Sequence, residues 1–188
     1  MRIAANRSRP AVIAPLPNPA WLIQPLEKSH DRAHFDCGEP ALNLFIQRLA
    51  RQQQEKHLGR TFVAVDAATS RRVVGYYTLS AGNVGFESLD SGLRERLPRY
   101  PIPVVRIGRF AVDRTVQGQG LGHFLLKDSL LRIASLATQI GITAVVVDAK
   151  HEKAKRFYQR FGFVEFQDAP LSLYLPLQTV LQGLRQSG

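Results

Sequence analysis

A glycine-rich turn constrains the fold of this chain more than any other feature of its sequence. The turn covers residues 117–122 and reads Gln-Gly-Gln-Gly-Leu-Gly. It lies between an apolar, β-branched segment and an amphipathic helical segment. A helix N-terminus offers unpaired N–H groups, and glycines allow a phosphate to approach them closely. The turn therefore predicts a phosphate-binding site, with a simple flexible connection as the alternative.

Two familiar nucleotide-binding motifs differ from this turn. A P-loop has Lys followed by Ser or Thr, and no such pair follows the glycines here. The Rossmann motif is GxGxxG, whereas the turn is GxGxG. Asp148 ends the next predicted strand, where a ribose-binding acid would lie, but only 40 residues follow it. That length is too short for the second half of a dinucleotide-binding fold.

The hydrophobic pattern predicts one mixed α/β domain. A chain of 188 residues has the length of a single domain. The predicted order is β–α–β–β–α–β–α–β–α–β–β, with Gly141 ending the helix that follows the turn. Gly108 in the central strand indicates either a bulge or a close backbone approach. Helices are predicted over 41–57, 86–98, 123–141 and 151–162, and strands over 61–66, 72–84, 102–113, 142–149, 163–167 and 171–177.

The domain is expected to span 21–180. Residues 1–20 contain four prolines and predict a flexible N-terminal arm, and 181–188 form a short C-terminal tail. The prolines interrupt the apolar residues of the arm, so this segment does not resemble a signal peptide. No apolar run approaches the roughly 18 residues that span a bilayer. We expect a soluble, cytoplasmic protein.

Basic residues are concentrated in two segments. Lys and Arg number 25 and Asp and Glu 15, which gives a net charge of +10. Segments 91–114 and 150–160 each carry +4. They are either solvated faces or surfaces for the phosphates of a polyanion. The one cysteine excludes an intrachain disulfide, and the five scattered histidines lack metal-ligand spacing, so no metal is expected.

The turn and four further blocks resemble the GNAT N-acetyltransferase superfamily, and most closely the GNAT toxins of bacterial toxin–antitoxin systems. Gln117, Gly120 and Gly122 match the superfamily pattern Arg/Gln-x-x-Gly-x-Gly/Ala. The resemblance covers about residues 21–180 and implies an α/β GNAT fold, with a mixed central sheet flanked by helices. The blocks are FDCGEPALNLFIQRLA (35–50), VVGYYTLS (73–80), LPRYPIPVVRIGRFAVD (97–113) and FYQRFGF (157–163).

The resemblance implies transfer of an acetyl group from acetyl-CoA to the amino group of an aminoacyl-tRNA, which stops translation. It also implies an antitoxin partner of the ribbon-helix-helix type and a homodimer. Two alternatives remain: a GNAT enzyme that acetylates a small-molecule or protein amine, and a binding module without activity. An acceptor site for polyamines should be acidic, whereas segment 91–114 is basic.

The strand end and the turn are the predicted acetyl-CoA site. The resemblance assigns the pyrophosphate to the turn. Backbone N–H groups at an irregular point in the strand can support the oxyanion of a tetrahedral intermediate. The predicted cofactor-binding residues are Phe110, Ala111, Val112, Gln117, Gly118, Gln119, Gly120, Leu121 and Gly122.

Tyr158 is the candidate catalytic residue. An α-amino group has a pKa of about 7.7–8.0, so a strong general base is not obligatory. The departing thiolate needs a proton, and a tyrosine with an ordinary pKa of about 10 suits that role. By the resemblance, the catalytic tyrosine is that of the FYxxFGF block. The alternative is a core aromatic residue that packs beside Phe157 and Phe161.

Basic residues near these blocks are candidates for tRNA or for the 3′-phosphate of CoA. Arg109 has a second interpretation, an ion pair with Asp113. We expect His123 to be an exposed helix-capping residue and Cys37 to be packed rather than nucleophilic. The candidates for tRNA or substrate binding are Arg99, Arg106, Arg109, Lys150 and Lys153, with Lys155 and Arg156 nearby.

Overall fold

One seven-stranded mixed sheet organises the protein. The computed structural model describes residues 20–68, 71–89, 91–95, 97 and 99–185. The strand order is β1-β2-β3-β4-β5-β7-β6, and β4 with β5 is the one parallel strand pair in the described chain. The strands are β1 (Trp21–Pro25), β2 (Arg60–Asp66), β3 (Val73–Val84), β4 (Ile102–Val112), β5 (Ala144–Asp148), β6 (Val164–Glu165) and β7 (Ser172–Pro176).

Helices cover both faces of this sheet. A π-helical turn over Phe45–Leu49 joins α1 to α2, so that the two form one continuous helix. No helix among the described residues has the length and apolarity to cross a membrane. The helices are α1 (Pro40–Leu44), α2 (Ala50–Glu55), α3 (Ser91–Arg94), α4 (Leu121–Leu136), α5 (Glu152–Gln159) and α6 (Leu177–Arg185).

The predicted element order is confirmed, with three corrections. The helix after the glycine turn ends at Leu136 with Ala137 as its C-cap, so the prediction that Gly141 ends it is wrong. The helix predicted over 86–98 is reduced to a 3₁₀ turn and α3. Helix α6 has no counterpart in the prediction. The N-terminal arm falls almost entirely outside the described residues, which begin at 20.

The hydrophobic core is divided by the sheet. On one side, α4 packs through Leu121, Leu125 and Ile133 against a cluster that includes Tyr77 and the aromatic residues of α5. On the other side, the α1–α2 helix contributes Phe45 and Ile46 to a cluster that contains Tyr76. Side chains that are neighbours in a strand point to opposite faces. Tyr76 and Tyr77 therefore anchor opposite layers of the protein.

Gly108 forms a β-bulge in β4, which is one of the two features that the sequence indicates at this position. The pairing of β4 with β5 ends beside it. Strand β3 pairs Thr78 with Arg109 and Leu79 with Ile107, which leaves Gly108 as the extra residue. In the described chain, the parallel β4–β5 ladder covers only Val104–Ile107 of β4. Beyond the bulge, β4 continues beside β3 alone. One edge of residues 109–112 is consequently open to a ligand.

Candidate active site

The glycine turn has the backbone conformation that its composition predicts. Gly118 and Gly120 have φ angles of +79° and +92°, in the left-handed region that favours glycine. A Cβ atom on either residue would meet nothing within 4 Å. These glycines are therefore required by the backbone, and the space around them is not filled by protein packing.

Helix α4 begins from this turn with open donors. Its first intrahelical hydrogen bond runs from the Phe124 N–H to the Gly120 carbonyl at 3.2 Å. The N–H groups of Leu121, Gly122 and His123 precede that bond and have no intrahelical acceptor. The N-cap residue is Gly120, which has no side chain that could accept from these N–H groups. This set of N–H donors and the helix dipole fit an anionic pyrophosphate.

The side-chain amides of the turn bond to the protein itself. The Gln117 Nε2 group donates to the carbonyls of Cys37 at 3.1 Å and Val112 at 2.9 Å. Gln119 Nε2 donates to the Thr115 carbonyl at 3.2 Å. The predicted contribution of these two residues to cofactor binding thus falls to their backbone atoms.

The open end of β4 lies beside the turn and presents different residues to its two faces. Phe110 and Val112 pack with the cluster on the α4 side. Ala111 is buried in the cluster on the α1 side, and its backbone groups pair with Tyr76 of β3. Gly122 lies where an added Cβ would touch the Phe157 ring at 3.7 Å. Strand β4, the start of α4 and helix α5 therefore converge at one point.

Tyr158 lies at this convergence. Its side chain is 6% exposed, and its ring lies 5.2 Å from Phe157, 5.6 Å from Phe163 and 6.0 Å from Phe110. Among the described residues, none accepts a hydrogen bond from the Tyr158 hydroxyl, yet this oxygen is not fully enclosed. Burial, and next the charge of Asp148, raise the pKa of Tyr158. The tyrosine is a core aromatic residue that keeps its proton and has a hydroxyl open to a ligand.

Arg106 is bound to an acidic neighbour. Its guanidinium forms an ion pair with Asp148, which also accepts a 2.7 Å hydrogen bond from the Ser172 hydroxyl. The interaction joins β4, β5 and β7 at the position where the parallel ladder stops. The charge of Arg106 is therefore compensated, which leaves less of it for a phosphate than the sequence suggests.

Arg109 is exposed, and it does not form the ion pair with Asp113 that is its alternative interpretation. Its guanidinium lies 5.1 Å from the centre of the Phe45 ring on the α1 side. Asp113 is 2% exposed, and the basic group near it is that of Arg72 at 3.8 Å. Arg109 therefore remains a cation available to a ligand at the end of β4.

The remaining basic candidates do not form one cluster. Lys150 and Lys153 are exposed at the start of α5, which carries Tyr158. Arg99 is exposed and precedes Ile102, the first residue of β4, which itself lies about 26 Å along the strand from Phe110. Lys155, by contrast, is largely covered and paired with Glu165. Among the named candidates, Arg109, Lys150, Lys153 and Arg156 combine exposure with a position near the convergence.

Other predicted residues have structural roles. Cys37 is half-buried and donates to Asn43 Oδ1 at 3.1 Å, and burial raises the pKa of its thiol, so it is packed as predicted. His123 is exposed but packs against the rings of Phe157 and Phe161 instead of capping α4. The sequence reasoning overlooked His151, whose Nδ1 accepts from the Ala154 N–H and caps α5.

A separate apolar groove lies far from the glycine turn. It has a volume of about 490 Å³ and is lined by Phe62, Leu79 and Ile140, at the C-terminal end of α4. The turn occupies the opposite end of the same helix. The candidate site therefore depends on the open backbone donors and on Tyr158, and not on this groove.

Known proteins are similar to this chain in sequence and in fold. Residues 57–165 match the family model described as an acetyltransferase (GNAT) domain. A tRNA-acetylating toxin of Mycobacterium tuberculosis is 35% identical over 150 residues, which cover 80% of this chain and 88% of that protein.

Solved structures agree in both fold and sequence. AtaT complexed with acetyl-methionyl-tRNAfMet is 31% identical with a TM-score of 0.81, covering 86% of this chain and 98% of that one. A tyrosine-to-phenylalanine variant of AtaT, bound to the C-terminus of the antitoxin AtaR and to acetyl-CoA, is 30% identical with a TM-score of 0.73, covering 86% and 96%. The resemblance that the glycine turn and the four blocks suggest is confirmed.

Proposed function

The chain belongs to the GNAT acetyltransferase family, and we propose that it is a toxin that acetylates the amino group of aminoacyl-tRNA and so blocks translation. The convergence of the open α4 N-terminus, the open edge of β4 and the Tyr158 hydroxyl carries this proposal. The similarity to a tRNA-acetylating toxin and to AtaT bound to an acetylated tRNA supports the choice of acceptor.

Acetyl-CoA supplies an acetyl group that is activated as a thioester. The backbone N–H groups of Gly118 and of residues 120–122 hold its pyrophosphate, since they surround open space at a positive helix end. The N–H of Gln119 instead donates to the Val116 carbonyl at 3.4 Å. Backbone groups of Phe110 and Val112, which face away from β3, align the thioester along the unpaired edge of β4, whereas those of Ala111 pair with Tyr76. The N–H groups on this edge can also donate hydrogen bonds to the carbonyl oxygen and so stabilise the negative charge that develops on it.

Tyr158 donates a proton to the departing sulfur. Its raised pKa keeps the hydroxyl protonated, and the surrounding Phe110, Phe157 and Phe163 rings exclude water from the same region. An α-amino group has a pKa of about 7.7–8.0, so roughly a tenth or more of it is already neutral at pH 7. The attacking amine therefore needs positioning more than deprotonation.

The exposed cations near this site bind the tRNA. Arg109, Lys150 and Lys153 contact its phosphates, and Arg106 contributes less because Asp148 neutralises it. Arg99 reaches a more distant part of the tRNA. We further propose a homodimer, a ribbon-helix-helix antitoxin as partner, and action in the cytoplasm, where charged tRNA is used.

Transfer of radiolabelled acetyl groups tests this function. The full-length protein is incubated with labelled acetyl-CoA and with aminoacylated tRNA, uncharged tRNA, a polyamine or a lysine-containing peptide. We expect label only in aminoacylated tRNA, with transfer that weakens steeply as salt rises. Label in the polyamine or the peptide, and none in tRNA, contradicts the toxin proposal and favours the alternative acetyltransferase. Label in no acceptor favours a binding module.

A further inference from the structure

The loop before α1, residues 35–38, is hydrogen-bonded to residues 113–117, which precede the glycines of the turn. We call residues 35–38 the lead-in loop. Its Asp36 is 77 residues from Asp113 in sequence. The Asp36 N–H donates to Asp113 Oδ2 at 3.0 Å, and the Arg114 N–H donates to the Asp36 carbonyl at 2.8 Å. Gln117 adds a third bond, from its side-chain amide to the Cys37 carbonyl at 3.1 Å. Two of the blocks quoted above thus meet through specific hydrogen bonds.

Asn43, in α1, fixes the shape of the lead-in loop. Its Oδ1 accepts from the Cys37 N–H at 2.9 Å and from the Cys37 thiol at 3.1 Å. Its Nδ2 donates to Asp36 Oδ1 at 2.7 Å, and that oxygen also accepts from the Gly38 N–H at 2.9 Å. Gly38 has a φ of +94°, and a Cβ there would lie 3.1 Å from the Arg114 guanidinium. One amide therefore holds a loop that could not close in this way without glycine.

Asp113 holds the other side of the contact. It is 2% exposed and accepts from the Thr115 N–H at 2.9 Å, the Thr115 hydroxyl at 2.6 Å and the Asp36 N–H. Burial alone would disfavour the charged carboxylate, but the bonds from Thr115 and Asp36 outweigh it and lower the pKa of Asp113. A buried carboxylate with these donors links both segments rigidly.

We propose that the lead-in loop positions the glycine turn for acetyl-CoA, with Asn43 and Asp36 as positioning residues that act through the turn and not by touching the cofactor. This inference rests on the proposed acetyl-CoA site. Left-handed glycines make the turn conformationally free on its own, and a ligand that must order a flexible loop loses affinity. The bonds at Asp36, Cys37 and Gln117 provide that order before the ligand binds.

The substitution Asn43→Ala in the full-length protein tests the proposal, with Gln54→Ala as its matched control. Gln54, in α2, also bridges two backbone groups with one amide, to the Leu26 carbonyl and from the Thr61 N–H, both at 3.2 Å, but does not contact the lead-in loop. Calorimetry gives the Kd of acetyl-CoA, and steady-state assays give KM and kcat. We expect Asn43→Ala to raise Kd and KM about three- to tenfold, the range of a lost hydrogen bond, with kcat at saturating acetyl-CoA within about twofold.

The control separates positioning from general stability. Gln54→Ala is expected to lower Tm to a similar degree and to leave the Kd of acetyl-CoA unchanged. An unchanged Kd in Asn43→Ala, or an equal rise in Gln54→Ala, overturns the positioning role. Should wild-type protein bind no acetyl-CoA, the proposed function fails instead, so that the two failures are distinguishable.

Two further variants keep the proposal testable if Asn43→Ala does not fold. Asp36→Asn preserves the size of the side chain but removes the charge that faces Arg114 at 3.2 Å, and it should raise Kd in the same direction by a smaller factor. The double variant Asp36→Asn with Gln117→Ala should raise Kd by less than the product of the single effects, because both act on one contact. Full additivity contradicts a shared role.

Discussion

The two faces of the β4 end differ in chemistry although they share one strand. Toward α4 and α5, Phe110 meets the rings of Phe157 and Tyr158, which form an aromatic surface with a single hydroxyl. Toward α1, Arg109 lies exposed over Phe45. A thioester requires exclusion of water, whereas a polyanionic acceptor requires exposed cations. Side chains that alternate in one strand can meet both needs within a few ångströms.

The substitution Tyr158→Phe should have the largest effect and concerns only the aromatic face. Loss of a general acid typically costs about 10²-fold or more in rate, while the ring packing is retained. We expect kcat to fall by at least that factor with the Kd of acetyl-CoA unchanged. Tyr77→Phe, in which another buried tyrosine of the same side loses its bond to Asp128, should keep its kcat. Full activity in Tyr158→Phe excludes the proposed role.

The substitution Gly120→Ala should weaken acetyl-CoA binding through backbone strain. A φ of +92° costs a residue with a Cβ atom about 1–2 kcal/mol, so KM for acetyl-CoA should rise about tenfold. Gly141→Ala is the matched control, because a Cβ there also meets nothing within 4 Å but the φ is ordinary. Equal KM values in the two variants show that the turn does not bind the cofactor through this conformation.

Alkaline pH should destabilise the protein in part through Tyr158. Burial raises the pKa of Tyr158 in the folded chain, so above pH 10 the unfolded chain loses a proton that the folded chain keeps. Stability is therefore complete below pH 10 and falls above it, by up to about 1.4 kcal/mol per pH unit for this residue. Denaturant unfolding between pH 9 and 11 should show a shallower loss in Tyr158→Phe. Tyr100→Phe, at an exposed position, should follow the wild type.

The substitution Arg109→Ala should have the smallest effect and concerns only the cationic face. Removal of one phosphate contact reduces the salt slope of tRNA binding by about one and weakens binding uniformly. The Kd of acetyl-CoA should not change, because Arg109 points away from the aromatic face. Arg99→Ala should alter the salt slope less, given its position beyond the far end of β4. A larger effect from Arg99 would place the tRNA along the whole strand.

Local patterns in the sequence predict the parts of this site that depend on backbone geometry. The glycines of the turn indicate a left-handed backbone and the start of a helix, because few other residues tolerate that conformation. Gly108 indicates an irregular point in its strand, where the structure has a bulge. The order of strands and helices follows from hydrophobic periodicity in the same way. These signals are short-range, so one sequence suffices to find them.

Partners that are distant in the chain are not visible in such patterns. The pairing of Arg106 with Asp148, and of Asp113 with the Asp36 N–H, requires the sheet to be assembled first. Sequence proximity instead suggests Arg109 with Asp113, but four residues of extended strand hold the two about 13 Å apart. The predicted end of α4 is wrong for a similar reason: Gly141 lies beyond the helix, which already ends at Leu136 with Ala137 as its C-cap.

The bulge at Gly108 amounts to one inserted residue in an otherwise regular strand, and the open edge of β4 begins at this residue. Val105 and Ile107 share one side of β4 with Phe110 and Val112, so the inward positions change from odd to even numbers across Gly108. A strand shortened by this one residue would keep every side chain on its present face. Its ladder with β3 would also run without the shift in register. The bulge makes the sheet less regular, and the candidate site lies where the β4–β5 ladder ends.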